Sequence, residues 1–392
     1  MITASKPIGV GIIGLGTIAE AVHLPALRRL ANCYAVRAVA DLSPGRAEFV
    51  ARRAGSDVLA TTDPLQVIEH PGVELVMLLH SGAHGRLCDV ALRSGRHVFA
   101  EKPLSMSRTE ALGLDRLAKN AGVVLQVGYM KMYDPILTPA RRALGELHGK
   151  RLIRITVLHP DEPHQFAHLR PTVAADDVEA DALAAARADD AMRTTEAIGA
   201  VPAWLASLYQ DVLNGSVIHE LSLLRALGLG LPERFEHVRA WPSAPPAPPD
   251  LPPCLEAAAS LDERTRLLLS WNFLPTHAEY VEELAVFADD GRLELRLAPP
   301  YLLDARSSLS VARSEGELRS AAEHQGAFES GFLLQLEALF ASIRHGDAVR
   351  SSAADAAGDI SCLQAMTRAL AAGYGVELGG EAAAQEGIDG AR

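Results

Sequence analysis

Cysteine is scarce in this chain: four residues in 392, Cys33, Cys88, Cys254 and Cys362, with no C-x-x-C pair among them. Spread so thinly, they exclude a zinc ligand set and a disulfide framework, and read as reduced, buried small hydrophobes. Positive charge is also short, with 37 Lys and Arg against 49 Asp and Glu and a formal net charge of −12. That balance argues against nucleic acid or an anionic membrane as a partner, because both demand clustered cations. It leaves an anionic cofactor open, since backbone amides hold one locally. No window approaches the ~20 apolar residues needed to span a bilayer. Met1 to Pro7 lack the basic stretch, apolar run and small-residue site of a secretory signal. The expected location is the cytoplasm.

What is present is ordinary globular material, 48% hydrophobic and 22% charged, over a length that suits two cores better than one. The first third alternates short apolar runs with longer amphipathic ones, as a parallel α/β sheet does. Strands are predicted at Ile8–Ile13, Ala35–Ala40, Glu74–Leu79, His97–Ala100 and Val123–Val127. Ser43-Pro44 and Asp63-Pro64 place a cap and a first-turn proline ahead of helices, and Ser107-Arg108-Thr109-Glu110 is a capping box. The pattern predicts a doubly wound dinucleotide-binding domain over residues 1–128.

Residues 129–376 read as a second α/β domain built on a mainly antiparallel sheet. A strand is predicted at Leu152–Leu158, an Ala- and Asp-rich helical excursion at Thr172–Ala200, and a helix at Val217–Leu227. Further strands are expected near Phe235–Trp241, Arg264–Phe273, Tyr280–Ala288 and Arg292–Leu297. Asp289-Asp290-Gly291 joins the last two as a hairpin. Pro242–Pro253 is read as a long loop and residues 377–392 as a disordered tail.

The chemistry concentrates in a few places. Gly14-Leu15-Gly16-Thr17-Ile18-Ala19 fits G-x-G-x-x-G/A between a buried strand and a helix, and Asp41 closes the next strand 22 residues after Ala19. A dinucleotide site needs these parts: glycines for the tight turn, a helix N-terminus for the pyrophosphate, and a carboxylate for the ribose hydroxyls. Asp41 favours NAD by repelling a 2′-phosphate, while nearby Arg46 leaves NADP open. Glu101-Lys102-Pro103 follows the His97–Ala100 strand, at the carboxyl edge where such sheets bind ligands, and a lysine there suits proton transfer. His159, His164 and His168 bracket Asp161-Glu162. Their spacing matches no defined metal site, so a polar loop is expected and no metal. Trp204, Tyr209, Trp271 and Phe273 are read as core rather than as a sugar platform.

With these signals in register, the chain resembles the glucose–fructose oxidoreductase / inositol dehydrogenase / MocA (Gfo/Idh/MocA) family. The matching stretches are the nucleotide fingerprint with His23-Leu24-Pro25, Ala40-Asp41, and Gly95 to Pro103. Gly128-Tyr129-Met130-Lys131 with Tyr133-Asp134-Pro135, and His219-Glu220-Leu221 with Leu224-Arg225, continue the match. The resemblance implies a Rossmann domain, a C-terminal α/β domain whose open sheet mediates a homodimer or homotetramer, and hydride transfer on sugars, cyclitols or related polyols. It implies Lys102 as acid/base and His219 as a catalytic partner near the reacting hydroxyl. It places Gly14, Gly16, Thr17, Ile18, Asp41, Arg46, His80, His84, Glu101, Lys102 and Met130 around the cofactor, and Lys102, Tyr133, His159 and His219 around the substrate. One departure matters: many family members carry Asp-x-x-x-His, and here Gly215 stands four residues before His219.

The reading is therefore an NAD(P)-dependent dehydrogenase or reductase acting on a CH–OH group. Two alternatives stay open. One is net-non-redox chemistry with a retained NAD; the other is an NAD(H)-binding regulatory protein without turnover.

Overall fold

The computed structural model describes residues 6–161, 165–169, 175–241, 252–302 and 304–389. The first elements alternate as the hydrophobic pattern requires: β1 (Ile8–Ile13), α1 (Leu24–Arg29), β2 (Tyr34–Ala40), α2 (Pro44–Ala54), β3 (Leu59–Thr61) and α3 (Pro64–Glu69). They continue as β4 (Leu75–Leu78), α4 (Gly85–Arg93), β5 (His97–Glu101), α5 (Arg108–Ala121) and β6 (Leu125–Gly128). Then follow α6 (Leu137–Gly145), β7 (Lys150–His159), α7 (Ala180–Ile198), α8 (Ala203–Ser207) and α9 (Ile218–Ala226). Seven strands come next: β8 (His237–Trp241), β9 (Cys254–Ser260), β10 (Arg266–Phe273), β11 (Val281–Ala288), β12 (Gly291–Arg296), β13 (Ser308–Glu315) and β14 (Leu318–Gln325). Three helices end the chain: α10 (Gly331–His345), α11 (Ala353–Gly373) and α12 (Gly380–Asp389).

Two compact units result. The first comprises Met1–Tyr129, Leu169–Ala197 and Phe332–Gly358. Its sheet has the order β3-β2-β1-β4-β5-β6, and every pairing is parallel. All six residues of β1 are buried, which is why its sequence is a continuous apolar run rather than an alternation. The order reverses direction between β1 and β4, and that switch point is where ligands bind in open parallel sheets. The predicted caps form: Ser43 Oγ accepts from Arg46 N at 3.1 Å, Asp63 from Leu65 N at 2.9 Å, and Ser107 from Glu110 N at 3.2 Å. Each such cap stabilises its helix by roughly 1 kcal/mol.

The core of this unit holds Ile8, Val10, Ile12, Leu75 and Met77 against Leu333, Leu336, Leu339 and Phe340 of α10. The Tyr34 hydroxyl donates to the Leu336 carbonyl at 2.6 Å, which fixes the rotation of that helix. Sequence reading expects one continuous second domain over 129–376. The structure instead carries two stretches of it, Leu169–Ala197 and Phe332–Gly358, back to the first unit. Burial of the apolar face of α10 drives the second return.

The second unit comprises Met130–His168, Ile198–Gly331 and Asp359–Arg392. Its sheet runs β14-β13-β12-β11-β7-β10-β9-β8, antiparallel except for β7 beside β10. The hairpin at residues 289–291 forms as expected between β11 and β12. Strands β9, β13 and β14 go beyond the sequence expectation. The eight residues of β14 are all exposed, so no alternation of polar and apolar residues marked it. The predicted loop at Pro242–Pro253 lies mostly outside the described residues. A further correction concerns the tail: residues 380–389, expected to be disordered, form α12. Contacts that composition does not report hold it, with Ala382 fully buried, Gln364 Nε2 donating to Glu381 Oε2 at 3.0 Å, and Arg368 Nη1 to the Ala382 carbonyl at 3.2 Å. No described helix is long and apolar enough to cross a membrane.

Candidate functional site

The glycine turn leaves β1 with Gly14 at φ +90°, a conformation that costs a side-chain-bearing residue on the order of 1–2 kcal/mol. Space also demands glycine: a Cβ on Gly14 would lie 2.3 Å from the His80 backbone nitrogen, so the turns after β1 and β4 touch. A Cβ on Gly16 would meet nothing within 4 Å. The turn is therefore tight on the protein side and open above Gly16, the form that lets a pyrophosphate approach the backbone. Thr17 and Ile18 begin the helical backbone and are half-buried, and a π turn (Ala19–His23) leads into α1.

Asp41 follows β2 and ties the turn down. Its Oδ2 accepts from Leu15 N at 2.7 Å and its Oδ1 from Ser43 N at 2.9 Å. Arg46 Nη1 lies 3.7 Å from Asp41 Oδ1, so the nearest cation is paired with the carboxylate it was expected to oppose. A dinucleotide fits what is present here: an open glycine turn, a helix start, and a fixed carboxylate at the end of the neighbouring strand.

At the ends of β4 and β5 the side chains interlock. Glu101 is buried, its Oε1 accepting from His23 Nε2 at 2.8 Å and its Oε2 from the backbone nitrogen of Lys102 at 3.2 Å. His23 packs edge-on against Phe99 and Phe332, at 5.3 and 6.2 Å between ring centres. The base of Lys102 is thereby fixed while its side chain stays half-buried, and the Lys102–Pro103 peptide is cis. His84 is fully buried. Its Nδ1 donates to the Pro103 carbonyl at 2.7 Å, and its Nε2 lies 2.9 Å from the His80 carbonyl.

Burial first, then the charge of neighbouring His80, pushes the His84 imidazole down to about 3, with the Lys102 ammonium adding to the effect. His80, tilted over it at 4.5 Å, is lowered too, again mainly by burial. Both rings are neutral at physiological pH.

In the second unit, Met130 and Tyr133 bound a short 3-10 turn (Met130–Tyr133) in which Tyr133 is buried. His159 ends β7 within an aromatic cage of Trp271, Phe273 and Tyr280, at ring-centre distances of 5.4, 6.2 and 5.5 Å. Trp271 Nε1 donates to Ser216 Oγ at 2.8 Å, so Trp271 is a core residue with its polar edge satisfied. His219 is buried on α9, directly after a ten-residue π-helical stretch (Leu208–Val217) that contains Asn214 and Gly215. The wider winding of π-helix is uncommon and accompanies functional sites. Asn214 Nδ2 donates to the Tyr209 carbonyl at 2.9 Å and caps this stretch internally.

Beside His219 stands a buried polar cluster that sequence reasoning passed over. Lys131 Nζ donates to Glu282 Oε2 and lies 3.4 Å from Glu220 Oε1. The Tyr280 hydroxyl donates to Glu282 Oε2 at 3.1 Å. Burial, only partly offset by Lys131, pushes the Glu220 carboxyl up to about 8. Its second oxygen, Oε2, and Oε1 of Glu282 have no partner among the described residues. One signal was available: Glu282 shares its face of β11 with Leu284 and Val286, and a carboxylate in a core-facing position asks for a buried cation.

His164 and Glu162 of the histidine loop lie outside the described residues, and His168 Nε2 meets the Tyr301 carbonyl at 2.9 Å. Among the described residues no group of three His, Cys, Asp or Glu stands close enough to hold a metal. A cavity of about 690 Å³ runs between α1 and α2, lined by Leu24, Tyr34, Phe49 and Arg53 among others. It borders Leu15, Thr17 and Arg46 but reaches neither Asp41 nor Lys102.

Comparison with known proteins follows the same division. Residues 8–129 match the family model described as "Oxidoreductase family, NAD-binding Rossmann fold". A scyllo-inositol 2-dehydrogenase (NAD(+)) of Bacillus subtilis is 37% identical over 112 residues, 28% of this chain and 32% of the relative. Inositol 2-dehydrogenase 1 of Saccharopolyspora erythraea is 33% identical over 138 residues, covering 34% and 40% of the two chains. The chain thus spans about a third of the length of these curated relatives. Among solved structures, a 3-ketoreductase from Actinomadura kijaniata in complex with NADP superposes with a TM-score of 0.67 at 21% identity, over 93% of this chain and 98% of that one. At that identity the likeness speaks for the fold of both units.

Proposed function

We propose that the chain is a member of the Gfo/Idh/MocA oxidoreductase family, whose model residues 8–129 match, and that it is an NAD(P)-dependent dehydrogenase or reductase of a hydroxyl or keto carbon on a sugar, cyclitol or related polyol. The observation that carries the reading is Lys102. It stands at the carboxyl edge of the sheet that bears the glycine turn, its backbone anchored through Glu101 to His23. NAD, when bound, supplies the hydride acceptor in oxidation and its reduced form the donor in reduction. In oxidation Lys102 Nζ takes the proton of the reacting hydroxyl; in reduction it returns that proton to the carbonyl oxygen. The neutral imidazoles of His84 and His80 offer no competing charge beside it.

Asp41 is proposed to hold the adenosine ribose, which favours NAD, while the NADP complex of the Actinomadura kijaniata structure leaves NADP admissible as a second cofactor. The relatives named inositol dehydrogenases support a cyclitol or sugar as substrate. In the second unit, His219 and Tyr133 are proposed to orient the substrate, His159 to contribute from its aromatic cage, and the eight-stranded sheet to mediate a homodimer or homotetramer in the cytoplasm. The test is a panel of sugars and cyclitols offered with NAD to the unaltered protein and to Lys102→Ala. Reduced nicotinamide should form with at least one substrate, and the variant should lose ~10²–10⁴ in rate. A variant that keeps most of its rate would move the chemistry away from Lys102.

A further inference from the structure

The Ala- and Asp-rich segment after residue 174 has no part in the reaction above, yet it is pinned to the dinucleotide unit at two places. Near its start, Asp177 accepts hydrogen bonds from the Ser43 hydroxyl and, at 2.8 Å, from Gly45 N. These donors are the cap residue and the first turn of α2, where backbone amides and the helix dipole favour an anion. A Cβ on Gly45 would lie 2.9 Å from Asp177 Oδ2, so the carboxylate sits against bare backbone. Thirteen residues on, Asp190 Oδ1 accepts from Ala83 N at 3.1 Å, in the turn after β4. Arg193 Nη1 meets Glu110 Oε1 at 2.6 Å beside it. Strands β2 and β4 flank β1, and the two anchors lie past their carboxyl ends. The segment is therefore anchored past the ends of both strands that flank β1.

The Asp177 position matters because of what else Ser43 does. Its backbone nitrogen donates to Asp41 Oδ1 at 2.9 Å, so its hydroxyl and the Gly45 amide stand next to the carboxylate that faces the adenosine ribose. An anion attached to that ribose at its 2′ oxygen would seek these same donors. We infer that Asp177 is a specificity-determining residue: it occupies the anion position at the start of α2 in place of a 2′-phosphate, so that the chain disfavours NADP relative to NAD with a carboxylate carried on its own inserted segment as well as with Asp41. The hydrogen bonds from Ser43 and Gly45 hold the Asp177 carboxyl below its ordinary value, so it stays ionised and competes as an anion. This inference rests on the dinucleotide reading proposed above.

The test uses the whole chain and reads binding. Asp177→Ala removes the carboxylate, and Asp177→Asn keeps its shape without the charge. Each is titrated, with the unaltered protein, against NADH, NADPH, AMP and adenosine 2′,5′-bisphosphate, and melting is followed with and without inorganic phosphate. In both variants the preference should shift towards the 2′-phosphorylated ligands by at least about fivefold, and phosphate should raise the melting temperature of Asp177→Ala more than that of the unaltered chain. A shift below about twofold in both variants, with no added response to phosphate, overturns the inference and leaves Asp177 a helix cap. Failure of the unaltered chain to bind NADH, NADPH or AMP would instead overturn the dinucleotide reading, and the phosphate response would still decide whether Asp177 fills an anion position.

Discussion

Glu220 offers a quantitative check on the buried cluster, because its carboxyl moves from an ordinary 4.5 to about 8. Between those values the folded protein holds a proton that the unfolded chain has released. Stability must then fall as pH rises, by at most about 1.4 kcal/mol per pH unit for one group. Above pH 6.5 the interval to pH 8 spans roughly 1.5 units, or up to ~2 kcal/mol. At about 2–4 °C per kcal/mol for a unit near two hundred residues, the unaltered protein should lose roughly 4–8 °C of melting temperature across it. Glu220→Gln keeps the volume and removes the titration. It sets an amide against the ammonium, so its absolute stability drops; the diagnostic is the slope, not the level. His84 has the opposite sign, its imidazole lowered to about 3, and its contribution is lost only as pH falls below 6.5. The chosen interval avoids it. Thermal melts at several pH values in one ionic strength give the answer: if the slopes of the two proteins coincide, Glu220 is not a protonated buried acid and the account of the cluster is wrong.

Two further predictions concern the site itself. Asp41→Ser should narrow the preference for NADH over NADPH, and because Asp41 also accepts from Leu15 N and Ser43 N, NADH affinity itself should fall; titration showing NADPH preferred by the unaltered protein would refute the assignment. His219→Asn should lower kcat/KM by at least about tenfold, equivalent to ~1.4 kcal/mol, with little change in melting temperature. The reverse outcome, lost stability with an unchanged rate per folded molecule, would make His219 a packing residue.

The parts of the molecule legible in the sequence are those set by local rules. The glycine turn, the capped helices after Ser43, Asp63 and Ser107, and the hairpin at 289–291 each follow from residues within a few positions of one another. Five of the six parallel strands followed from apolar runs that a sheet covered on both faces requires, whereas the three half-buried residues of β3 carry no such run. What escaped depends on partners distant in the chain. Asp177 meets Ser43 across 134 positions, and Lys131 meets Glu282 across 151; no period or spacing joins such pairs. The return of α10 to the first unit is likewise invisible, since an amphipathic helix declares that it packs but not on what. The ordering of α12 has the same cause: composition reported its many Ala and Gly residues but not the groups on α11 that bind it. The π-helical stretch before His219 has no local signature beyond Asn214-Gly215, which reads as readily as a turn.

Hydride transfer is tested most directly with isotope. Cyclitols and sugars carrying deuterium at their carbinol carbons are incubated with NAD and either the unaltered protein or Lys102→Ala, and the nicotinamide is examined by mass spectrometry. The account predicts deuterium in the reduced cofactor from at least one substrate with the unaltered protein, and a rate of appearance ~10²–10⁴ lower in the variant. Cofactor that binds but gains no deuterium from any of them, or gains it equally well without Lys102, would contradict it.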